Sequence, residues 1–91
     1  MGIDEMNDIY EEFADYIADN YPQYSWRETA WRDRITGEEG AKICVIEKGL
    51  YVRFVEVTKK EGTTAKLQYW FVKNQDQKVD VTSLEQLLSL I

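Results

Sequence analysis

The chain has no histidine among its 91 residues, one cysteine (Cys44) and one proline (Pro22). Without histidine it lacks the usual general base near neutral pH and the commonest metal ligand. Nucleophile–histidine catalysis within the chain is excluded on the same ground. A lone cysteine cannot close an intramolecular disulfide, and Cys44 sits in an apolar run (ICVI) where a thiol is ordinarily inert packing. No Cys/His cluster suggests zinc, and no Gly-rich loop suggests phosphate. No catalytic residue, metal or cofactor is therefore expected, and the chain does not read as an enzyme. One proline and five glycines do not make a linker-rich or disordered chain. No stretch approaches the roughly 20 apolar residues that span a bilayer. The acidic N-terminus, followed by no apolar run, predicts no signal peptide. A cytoplasmic protein with no membrane contact is the expectation, and 91 residues suit one α+β domain over 1–91.

Positive charge is missing where negative charge is densest. Seven acids fall in the first nineteen residues, and no lysine or arginine precedes Arg27. Asp4, Glu5, Asp8, Glu11, Glu12, Asp15 and Asp19 alternate with Ile3, Met6, Ile9, Tyr10, Phe13 and Ile17. At about 100° per residue the acids occupy an arc of roughly 120°, with the apolar set in a similar arc opposite. This is an amphipathic helix from about Asp4 to Asn20, stopped by Tyr21-Pro22. The remaining residues carry ten acids and eleven basic side chains, so the helix holds the excess behind the net charge of −6.

Residues 24–36 are ambiguous. Ser25 with Glu28 fits a capping box and Gly37 a helix end, which favours a short helix; a bulged strand is the alternative. In the helical reading Arg27, Trp31 and Arg34 share one face, the residue types that dominate interfaces, with Trp26 on another. From Ala41 the pattern is that of strands: Ala41–Glu47, Leu50–Thr58, Lys66–Lys73 and Lys78–Val81, joined by Lys48-Gly49, a polar connection over Lys59–Thr64, and a turn over Asn74–Gln77. Connections this short imply a four-stranded antiparallel meander. Thr82 with Glu85 then caps a short C-terminal helix over Ser83–Ile91, with Leu84, Leu87, Leu88 and Ile91 on one side.

Both sheet faces read as apolar: Leu50, Val52 and Phe54 oppose Tyr51, Val55 and Val57, and Leu67, Tyr69 and Phe71 oppose Trp70 and Val72. Helices on both sides, or one face left for another protein, would account for this. Function must then come from surfaces. Solubilisation is the ordinary use of an acidic helix face. However, Asp4–Asp8, Asp8–Glu12, Glu11–Asp15 and Asp15–Asp19 are like-charge pairs at helical spacing, which weaken the helix. They favour a protein partner with a basic surface, such as a nuclease, engaged by Asp4, Asp8, Glu11, Glu12, Asp15 and Asp19 together with Trp26, Arg27, Trp31 and Arg34. The chain would act as an inhibitor, an immunity-type protein or a nucleic-acid mimic. Direct nucleic-acid binding is not expected at this net charge. A homodimeric or chaperone-like module using an apolar sheet face is the alternative.

Overall fold

In the computed structural model, which describes residues 3–91, the order is α1 (Ile3–Asn20), β1 (Trp26–Arg32), β2 (Glu39–Val45), β3 (Leu50–Lys59), β4 (Gly62–Phe71), β5 (Val79–Asp80) and α2 (Leu84–Leu88). Single turns of 3-10 helix occupy Ile46–Lys48 and Val72–Asn74. The strands form one antiparallel sheet in sequence order, β1-β2-β3-β4-β5. The fold is α+β as expected, with five strands in place of four. Among the described residues no helix is long and apolar enough to cross a membrane.

The first helix forms where the periodicity places it. Tyr10, Phe13 and Ile17, three and four residues apart, are buried, and Ile3, Met6, Ile9 and Ala14 pack around them. The Tyr21 amide donates to Ile17 O (2.9 Å) to close the last turn before Pro22. The buried stripe lies across β4 and β3, where Ile43, Val45, Leu50, Val52, Phe54 and Leu67 project from one face of the sheet. α2 joins the same layer, with Leu87 and Val81 completing the core. Its cap differs by one residue from the expected box. Ser83 rather than Thr82 is the N-cap, accepting from the Gln86 amide (3.3 Å), while Gln86 Oε1 accepts from the Thr82 amide (2.9 Å).

The segment favoured as a helix is a strand. Trp26 and Trp31 have opposite parity because each packs on a different side of the sheet. Trp26, in line with Val45 and Leu50, packs against the core, whereas Trp31, in line with Gly40 and Val55, lies on the far side. A capping-box match at Ser25 and Glu28 counts for less than a seven-residue ladder to β2. Ser25 is tied instead to the β2–β3 connection, its amide donating to a Glu47 carboxylate oxygen at 2.8 Å. The stretch Lys59–Thr64 is also no open connection. Lys59 pairs with Gly62 across a two-residue turn, and Thr58 faces Thr63 with their hydroxyls 3.2 Å apart. β-branched residues here extend the hairpin rather than interrupt it.

Candidate functional site

Two surfaces of opposite charge stand on opposite sides of the molecule. On the helix side, Asp4, Asp8, Glu11, Glu12, Asp15 and Asp19 are all exposed along α1. Among the described residues the one side-chain ion pair is Arg32–Glu39 (3.9 Å), so no cation of those residues neutralises these acids. α1 lies over the β3–β4 half of the sheet and leaves a groove of about 420 Å³ beside β1. Asn7, Glu11 and Asp15 line its helix wall, Trp26 and Glu28 its strand wall, and Tyr10 lies between them. The Tyr10 hydroxyl donates to Glu28 Oε2 at 2.9 Å, the side-chain hydrogen bond joining helix to edge strand. Burial, reinforced by the Glu28 hydrogen bond and charge, raises the Tyr10 pKa far above the ordinary phenol range, so this hydroxyl is a permanent donor. The groove thus gathers three carboxylates against an indole, chemistry suited to a lysine or arginine side chain.

Tyr10→Phe should cost about 1 kcal/mol, the net worth of one hydrogen bond to a charged acceptor at a half-open site. Urea unfolding measures this. The folded state holds the Tyr10 proton more tightly than the unfolded chain, so its contribution is complete below the ordinary pKa of 10.0 and declines as pH rises above it. Tyr10→Phe should flatten that alkaline decline.

Among the described residues no helix covers the far side of the sheet. Its side chains cover it themselves. Tyr51 and Trp70, opposite each other on β3 and β4, stack with centroids 5.2 Å apart and planes 8° from parallel. Arg53 lies 4.7 Å from the Trp31 centroid and 5.7 Å from that of Trp70. Lys42 sits 6.0 Å from the Tyr51 ring and Lys78 5.3 Å from Trp70. Arg53 Nη2 and Nε donate to Gln68 Oε1 (3.0 and 3.3 Å), and Gln68 Nε2 donates to Asp80 Oδ1 (3.1 Å). This alternation of rings and cations buries Val55 and Gln68 without a covering layer. The second apolar face expected from sequence is closed by long side chains rather than by helices. Cys44 lies half-buried on this face, in register with Tyr51 across β2 and β3.

The expected site residues are therefore divided. The six acids and Trp26 share the helix side. Arg27 and Trp31 are on the opposite face of β1, and Arg34 lies in the turn beyond the strand. Arg27, Trp31 and Arg34 do not form a common face, and the guanidinium stacked on Trp31 is that of Arg53. The capping-box pattern hides Glu28, whereas strand parity with Trp26 places it in the groove. Among the described residues no three His, Cys, Asp or Glu side chains are grouped to hold a metal ion. No protein-family model matches the chain, and neither a curated protein nor a solved structure matches it significantly.

Proposed function

We propose that this protein is a binding protein that occupies a basic surface of another protein, as an inhibitor or immunity-type protein does. The carboxylate stripe of α1 steers the encounter, and the α1–β1 groove receives one lysine or arginine of the partner. The observation that carries this reading is the groove itself: Glu28 is brought alongside Glu11 and Asp15 against Trp26, with no cation of the described residues paired to any of the three. A face serving only solubility has no need of a second element converging on it. A partner whose own groove binds nucleic acid, such as a nuclease, fits a row of anions on a rigid helix, which mimics a phosphate strand.

The test compares the protein with a Glu11→Gln, Asp15→Asn, Glu28→Gln variant as baits, in parallel with Glu61→Gln, Asp76→Asn, Glu85→Gln, which removes equal charge elsewhere. Retention of a basic partner by the parent and the control, its release at high salt, and an affinity drop of about a hundredfold in the groove variant are expected. Equal retention by all three baits would sink the proposal.

A further inference from the structure

Among the described residues β1 pairs with β2 alone, so its other edge presents unpaired backbone. The amide of Ile46 donates to Ser25 O (2.9 Å) and that of Asp33 to Glu38 O (2.8 Å), both on the register line of the β1–β2 ladder. Ser25 and Asp33 therefore turn their backbone polar groups toward β2. Counting in steps of two, so do Arg27, Thr29 and Trp31. Trp26, Glu28, Ala30 and Arg32 turn theirs to the open edge.

We propose that this edge pairs with the same edge of a second copy, antiparallel about a two-fold axis at Thr29, joining two meanders into one continuous sheet. The sequence of the strand, WRETAWR, is self-complementary in that arrangement. Arg27 falls opposite the second copy's Trp31, Trp26 opposite its Arg32, and Glu28 opposite its Ala30. All four indoles meet a guanidinium, and no like charges are opposed. The pairs Trp26–Arg32 and Glu28–Ala30 are those with outward backbone groups, so the register forms about eight hydrogen bonds without disturbing β2. An axis at Glu28 would oppose two carboxylates. An axis at Ala30 would align fewer strand residues and set Arg27 against Asp33, whose carboxylate already accepts from the Ile35 (2.9 Å) and Thr36 (3.3 Å) amides.

The ladder on the far face supports the same axis. Arg53 covers one side of Trp31, and the second copy's Arg27 would continue the alternation of rings and cations across the junction. Repulsion between the two helices does not oppose the pairing. The two α1 helices lie over β3–β4 of each copy, about six strand spacings or roughly 29 Å apart, beyond the screening length at physiological salt. Charged side chains also protect edges from pairing. Here, however, the charges are spaced to match themselves.

Sedimentation of the full chain from about 1 to about 500 μM, the range for a contact below standard interface size, should show its mass rising from one chain toward two. Ala30→Pro removes an N–H that β2 does not use and should stay monomeric with an unchanged circular dichroism spectrum. Ala30→Glu keeps that N–H but opposes the second copy's Glu28, and should associate at least about tenfold more weakly. In a Cys44→Ser background, Thr29→Cys should oxidise to a cross-linked dimer faster than Ala30→Cys. Several results would overturn the proposal: a monomer at every concentration, a dimer untouched by both Ala30 variants, or faster cross-linking through Ala30→Cys. Addition of an unrelated extended peptide along β1, with the chain otherwise monomeric, would assign the edge to another protein's strand and likewise overturn it.

Discussion

Gly40→Ala should destabilise the protein by about 3 kcal/mol, although alanine is ordinarily the better residue inside a strand by roughly 0.5–1 kcal/mol. The reversal comes from the neighbouring strand. Gly40 has φ +159°, and a Cβ built on it overlaps the carbonyl oxygen of Phe54. That oxygen is backbone in a central strand, so relief requires β2 and β3 to separate rather than a side chain to rotate. The same Cβ would lie 3.4 Å from Trp31 Nε1, beneath the indole that closes the upper end of the far face. Trp31 Nε1 is itself buried without an acceptor among the described residues, so a shift of the ring has no hydrogen bond to regain there. For a chain of this size the melting temperature should fall by about 12–24 °C. Gly37→Ala is the internal control. Its φ is +76° with nothing within 4 Å of the new methyl, so only the left-handed backbone is strained, at about 1 kcal/mol. Equal losses at the two sites would mean that close approach of β2 and β3 is not what Gly40 supplies.

What could be read from the chain beforehand, and what could not, divides along local and non-local physics. The first helix was legible because its signal is repeated: Tyr10, Phe13 and Ile17 at helical spacing, acids on the opposite arc, and Pro22 after the last turn. The three central strands were legible from β-branched and aromatic content. β1 was not. Its two tryptophans serve two different faces, so no single periodicity fits, and the assignment is made by the ladder to β2 across the intervening turn. Gly40 carries no local signal either, since its requirement comes from Phe54, fourteen positions on. Of the candidate site, the carboxylate stripe was legible residue by residue. Glu28 was invisible until β1 became a strand and Tyr10 reached across to it. The cover of the far face was less legible, for a general reason. An apolar count treats Arg53 and Lys42 as solvent-facing, whereas their stems and cations lie on rings.

That cover gives the second large effect. Arg53→Ala should cost about 2–3 kcal/mol, more than a surface arginine warrants. The guanidinium lies between Trp31 and Trp70 at 4.7 and 5.7 Å, and each such contact is worth about 0.5–1 kcal/mol, more as it is desolvated. Its removal also strands Gln68 Oε1, whose residue is 8% exposed and which accepts twice from Arg53. A buried acceptor left unpaired costs roughly 1–3 kcal/mol. Val55, fully shielded beneath the ladder, would meet water. Three replacements separate these contributions. Arg53→Lys keeps a cation but not the fork to Gln68, and should lose about half as much as alanine. Arg53→Met keeps the covering stem without charge. In a cycle with Gln68→Ala, the double variant should be less destabilised than the sum of the singles, because the stranded acceptor is gone. These differences are read from urea unfolding followed by tryptophan fluorescence, which reports Trp31 and Trp70 directly. If Arg53→Met proves as stable as the parent, the far face is held by apolar cover alone, and the stacking of cations on rings is incidental.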